Sequence, residues 1–184
     1  MNTNFYFIIA ILAVAAIYTI SLYNKGVSLR NYVREAFATM DVYLKKRWDL
    51  IPNLVETVKG YASYEQNLFA KIVELRSKNY STMTTEEKMN TNNELKSVIG
   101  SILAVAENYP DLKANESYNN LMNQLNSVEN DIANARKYYN GTVRELNTFL
   151  EIFPSNVIGN MFNIKKERLF ETDETERDNV KVEF

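Results

Sequence analysis

Five carboxylates, Asp41, Asp49, Glu65, Glu107 and Glu129, sit in the most distinctive stretches of this chain and are its candidates for chemistry. Carboxyl groups alone can run general acid–base catalysis when two share a cleft and their pKa values are driven apart. They can also hold Ca²⁺ or Mg²⁺, ions that favour acids clustered on loops. Here they fall on predicted helices, and no phosphate loop, oxyanion donor or activated nucleophile accompanies them. The 184 residues include no His and no Cys. That removes imidazole bases, thiolate ligands, Cys nucleophiles and disulfides, and with them zinc hydrolases, Ser–His triads and histidine-bearing di-iron sites. The expectation is a protein that is not an enzyme and takes no cofactor and no metal.

The elements that must carry these residues are helical. With 5 Gly and 3 Pro in 184 residues, the chain is too poor in turn formers for a β-sandwich or a βαβ array. Leu29, Val33, Ala36, Phe37, Met40, Leu44 and Trp48 form a first apolar stripe at helical spacing. Pro52 is expected to end that helix, with Asp49 capping the next, because proline lacks a donor and restricts the residue before it; the alternative is a kink within one continuous helix. A second stripe runs Leu54, Val58, Tyr61, Leu68, Ile72 and Leu75. Thr84 and Glu87 match a capping box for a third helix carrying Leu95, Ile99, Ile102, Leu103 and Ala106. Asn115 caps a fourth, in which Tyr118, Leu121, Leu125, Val128, Ile132, Ala135, Tyr139, Thr142, Leu146, Phe149 and Phe153 alternate steps of three and four.

Phe5 to Leu22 is uncharged and mostly apolar, and as a helix it spans about 27 Å, close to the hydrocarbon thickness of a bilayer. No Lys or Arg precedes it, so the positive start of a secretory signal is missing. Lys25, Arg30 and Arg34 follow it, and the positive-inside rule puts the N-terminus outside and the body in the cytoplasm. A sequence pI near 5.4 argues against nucleic acid as a partner.

The expected fold is therefore all-α: an N-terminal transmembrane helix continuing into a long antiparallel bundle of about four helices. Residues 1–24 are the anchor, 25–153 the cytoplasmic bundle, and 154–184 an irregular C-terminal segment with an acidic tail. Val180, Val182 and Phe184 alternate like a strand, but one strand cannot stand alone. Glu129 and Arg136 are charges on the packed shoulder of the fourth helix and need partners. Alternating helix directions put Arg47 near Glu129, and Asp41 or Glu65 near Arg136. If the fourth helix ends near the membrane, Val157, Ile158, Met161, Phe162 and Ile164, with Lys165, Lys166 and Arg168, either rest on anionic headgroups or cap the bundle end.

Two stretches carry something more specific than periodicity. One holds Asp41, Arg47, Asp49, Pro52, Asn53 and, just beyond Gly60-Tyr61-Ala62, Glu65. The other holds Glu107, Tyr109, Pro110 and Lys113, followed by Glu129, Arg136, Tyr139, Asn140 and Pro154. Together they resemble the LemA family of bacterial membrane proteins over nearly the whole chain. Two departures stand out: Tyr64 replaces a His frequent in the family, and Phe162-Asn163-Ile164 replaces a Phe-Gly-Phe.

The resemblance implies a single-pass cell-membrane protein whose helical bundle is cytoplasmic and for which no enzymatic activity is established. It also implies partners among membrane-linked protease or TPM-domain proteins, whose genes often neighbour those of the family. The expected function is a scaffold or adaptor that offers its bundle to unidentified proteins at the bilayer or to itself as a homo-oligomer. The alternatives are a membrane-shaping oligomer, a role implied by a relative active in magnetosome formation, or a carboxylate-based enzyme or metal site.

Overall fold

The computed structural model describes residues 3–62 and 65–170. Among these the chain forms α1 (Thr3–Lys59), α2 (Gln66–Ser77), a 3-10 turn (Tyr80–Thr82), α3 (Thr85–Glu107), α4 (Pro110–Ala114), α5 (Glu116–Phe149) and α6 (Ser155–Met161), with no strand. Tyr64, the acidic run after Glu171 and the strand-like Val180, Val182 and Phe184 lie outside the described residues. The described residues fall into two compact units. One joins the chain up to Thr39 with Ala135–Phe170, and the other is built from Met40–Asn134.

In the Met40–Asn134 unit, α1, α2, α3 and α5 alternate in direction. Tyr80 and Lys88 reach Asp41, Arg76 reaches Trp48, and Asn115 reaches Tyr61, so contacts run up and down α1 in turn. Met40, Leu44, Trp48, Ile51, Leu54 and Val58 of α1 are buried, as are Ile72, Leu95, Ile102, Leu125 and Ile132, the positions that the helical spacing selects. The capping box forms as expected. Thr84 Oγ1 accepts from the Glu87 N–H at 3.2 Å, and the Thr84 N–H donates to Glu87 Oε2 at 2.7 Å. The Thr84 N–H, and then the Thr84 hydroxyl at 2.8 Å, donate to the Glu87 carboxyl and hold it below its ordinary range.

Two expectations are corrected here. Pro52 lies inside α1 rather than ending it, and Asp49 is not a cap but pairs with Lys45 one turn back at 2.5 Å. The break falls instead between Lys59 and Gln66, in a stretch that opens on Gly60. Proline removes the donor that would serve the carbonyl four residues earlier, here that of Trp48. That carbonyl accepts a hydrogen bond from Arg76 Nη1 at 3.3 Å, and the guanidinium lies 5.2 Å from the centre of the Trp48 ring. The cost of the proline is offset from a different helix.

In the other unit α1 and α5 run antiparallel. The Phe37 ring meets Tyr139 edge-on at 5.8 Å, and Gly26 faces Phe149 and Ile164, where a Cβ would come within 3.0 and 2.8 Å. Glycine at 26 is what permits that approach. The fourth-helix seam is buried or half-buried through Phe149. Phe153 departs from the pattern, standing beyond the helix and 82% exposed. The segment after Pro154, expected to be irregular, begins with the short helix α6. Asn163 follows with φ 51°, the left-handed conformation that glycine adopts most readily and asparagine next. The departure from Phe-Gly-Phe is therefore conformationally conservative.

Exchanging Pro52 tests the Arg76 contact. Arg76→Met should cost about 1 kcal/mol in the natural chain, by leaving a carbonyl poorly paired. In a Pro52→Ala background, where residue 52 supplies its own N–H, the cost should shrink. Equal losses in both backgrounds, measured by denaturant unfolding in detergent, would contradict the assignment.

Candidate functional site

The densest polar cluster lies in the Met40–Asn134 unit and centres on Arg47, which is only 1% exposed although charged. Its Nη1 donates to Glu129 Oε1 at 2.6 Å, and its Nη2 donates to the Asn92 carbonyl at 3.1 Å and to Asn92 Oδ1. The Arg47–Glu129 pairing is the one that alternating helix directions anticipate. A guanidinium suits this place because its planar fork can serve acceptors on two helices at once.

A second charged group lies alongside. Asp41 accepts from Tyr80 Oη at 2.8 Å and from Lys88 Nζ at 2.6 Å, and Lys88 also sits 5.0 Å from the centre of the Tyr80 ring. Tyr80 packs on Trp48 with ring centroids 5.4 Å apart. Burial, then the hydrogen bond to Asp41, drives the Tyr80 phenol far above its ordinary value, so it stays a donor. The void among Leu44, Arg47, Trp48, Tyr80, Lys88 and Asn92 is about 10 Å³, room for no more than one water. The guanidinium's two terminal nitrogens are held by the cluster's own hydrogen bonds, while its Nε–H is buried with no hydrogen-bond acceptor among the described residues.

The five carboxylates are not brought together. Asp41 and Glu129 serve different cations, Asp49 pairs with Lys45, Glu65 precedes α2, and Glu107 ends α3 on the surface. Among the described residues no three Asp or Glu side chains are grouped as a metal would need. Asn53 is exposed on α1, one residue after Pro52. Tyr109, Pro110 and Lys113 shape the α3–α5 connection. Tyr109 precedes α4, Pro110 opens it, and fully buried Leu112 plugs it into the core. Asn115 then caps α5, accepting from the Tyr118 N–H at 3.0 Å.

In the other unit Arg136 lies half-buried on α5, and Pro154 follows α5 in a cis peptide with Phe153. Tyr139 and Asn140 hold the chain that returns along α5. Tyr139 Oη donates to the Arg168 carbonyl at 2.9 Å, and burial raises this phenol to about 12. Asn140 bonds both backbone groups of Phe170, at 2.8 and 3.0 Å, and Asn147 does the same for Glu167, at 2.9 and 3.0 Å. Seven residues of helix advance about 10.5 Å, close to the reach of three extended residues. The two amides therefore match the spacing of residues 167 and 170. Sequence reasoning missed Arg76, Asn92, Lys88 and Asn147. No local pattern marks any of the four, because each acts on a partner far away in sequence or on backbone atoms.

An all-helical protein with an apolar N-terminal helix long enough to cross a membrane, and with a charged centre tied to neighbouring helices, is a helical-bundle protein with a candidate single membrane span. The chain belongs to the LemA family, which it matches over residues 36–184. It is similar to Protein LemA of Metamycoplasma hominis, at 25% identity over 182 residues that cover 96% of this chain and 82% of that protein. Magnetosome proteins MamQ 1 and MamQ 2 of Paramagnetospirillum magneticum are each 21% identical over 192 residues, covering 89% of this chain and 71% of theirs.

Substitution separates a buried ion pair from an ornamental one. Arg47→Met should destabilise the full chain by about 1–3 kcal/mol, because the Asn92 acceptors and the part-exposed Glu129 carboxylate lose their donor. Arg47→Met combined with Glu129→Leu should recover much of that loss, since two well-packed apolar residues can replace a buried pair. Lys45→Met should cost under about 0.5 kcal/mol. Unfolding midpoints that move equally for Arg47→Met and Lys45→Met would contradict the assignment.

Proposed function

We propose that this protein is a non-enzymatic, membrane-anchored scaffold that presents its helical bundle at the cytoplasmic face of the cell membrane. The observation that carries the reading is α1 itself. Phe5, Phe7, Ile8, Leu12, Val14 and Ile17 are all more than half exposed on an apolar stretch that no packing among the described residues covers, and the same helix continues into the buried stripe Leu29, Val33 and Ala36. Lipid is the solvent that suits the first part, and the protein core suits the second. Lys25, Arg30 and Arg34 after the span favour a cytoplasmic body. The charged centre contributes shape and register rather than turnover.

Two measurements on native membranes test this. The chain should stay in the pellet through an alkaline, high-salt wash, and a photo-crosslinking residue placed at Tyr32, Val73 or Tyr138 should give discrete adducts with other proteins. Release into the supernatant, or adducts with lipid alone at all three positions, would overturn the reading. A second reading, self-assembly into a membrane-shaping oligomer, draws support from similarity to proteins named for the magnetosome. Size-exclusion of the detergent-solubilised chain distinguishes a monomeric adaptor from such an assembly.

A further inference from the structure

α6 is apolar on both of its sides. Ile158 and Gly159 are buried, and Gly159 is packed so closely that a Cβ there would lie 2.4 Å from Leu150 Cδ2. The other side leaves Val157 53% and Met161 63% exposed, and Ile152, Phe153 and Phe162 beside it are 54%, 82% and 45% exposed. Five large apolar side chains gathered around one short helix mark a surface that something covers.

The unit's own register identifies the cover. Phe37 lies beside Tyr139 and Gly26 against Phe149, so each residue gained along α1 is matched by one lost along α5. Helical bonding continues to Ile152, whose N–H donates to the Thr148 carbonyl at 3.1 Å, so at about 1.5 Å per residue Ile152 comes level with Tyr23 of α1, with Phe153 just past the helix end. That is where the apolar run from Phe5 ends. Tyr23 closes the gap, with its ring centroid 4.5 Å from that of Phe162. Exposed Lys25 and Lys165 follow these two aromatics by two and three residues, cations suited to the headgroup layer. An apolar surface at this height meets the boundary between headgroups and acyl chains.

We propose that Ile152, Phe153, Val157, Met161 and Phe162 form a lipid-facing platform that lies in the surface of the bilayer that α1 crosses. Ile158 and Ile164 seal the unit from within, while these five enter the lipid. The platform gives the unit a second attachment that fixes its tilt, which a single spanning helix leaves free. The proposal rests on the membrane-anchor reading of α1.

The absence of Cys makes single-cysteine labelling clean. Full-length variants carrying Cys at Ile11, Val157, Met161 or Val73 are labelled with an environment-sensitive dye and reconstituted in phosphatidylcholine–phosphatidylglycerol vesicles, with and without nitroxide-labelled lipid. Dye at Val157 and Met161 should be quenched severalfold more than at Val73, and nearer to the level at Ile11. Val157→Glu should lower quenching at Met161. Quenching at Ile11 with Val73-like signals at both α6 positions would overturn the platform and leave the anchor standing. No quenching at Ile11 would overturn both. Emission from α6 that shifts to the blue as protein-to-lipid ratio rises, without quenching, would mean a second copy covers the patch and would also overturn the proposal.

Discussion

A charged guanidinium with 1% exposure imposes more on this protein than any other group. Arg47 cannot be left alone in the core, because an unpaired buried charge costs several kcal/mol (roughly 3–5 when one partner is removed). It therefore dictates what faces it: Glu129 from α5 and Asn92 from α3. Sliding either helix by one turn, about 5.4 Å, would carry the acceptor out of reach. Leucine and isoleucine stripes tolerate such slips far better, since one apolar contact is much like the next. The pair Lys88–Asp41 repeats the device with a less buried cation and a more buried carboxylate. By contrast Lys78–Glu94 is an exposed ion pair, worth at most about 1 kcal/mol.

The sequence made the helices legible wherever the signal was local. The capping box at Thr84, the Asn115 cap and the long seam of α5 all rest on residues within a few turns of one another, and all formed. Pro52 misled for the complementary reason. Its missing donor is a local defect, but Arg76, which answers it, stands 24 residues further on, and nothing in the spacing ties the two. The return of residues 167–170 along α5 was equally hidden, because Asn140 and Asn147 grip backbone atoms that every residue carries. Of the residues singled out beforehand, Arg47 and Glu129 meet each other, Tyr139 and Asn140 meet the returning chain, and Tyr109 and Pro110 build a turn. The five carboxylates share no site because each was chosen for its stretch of sequence, not for a common cleft.

Membership of the LemA family and the continuous α1 bear on function together. An apolar stretch that ended in a flexible linker would tether a body loosely. Here the residues after Leu22 pass directly into Gly26, Leu29 and Val33, packed against α5 and the chain beyond it. On the proposed reading, this rigid passage would set the orientation of the Gly26–Val33 region at the bilayer, as a scaffold offering one surface requires.

The most direct test of the account is the topology of α1 in living cells, read by single-cysteine accessibility to a membrane-impermeant maleimide. Asn4→Cys should label in intact cells. Leu12→Cys should resist labelling even after permeabilisation, and Lys25→Cys and Val42→Cys should label only once the membrane is opened. Labelling of Val42→Cys in intact cells would place the body outside. Ready labelling of Leu12→Cys would show that the apolar stretch does not lie in lipid, and either result would contradict the account.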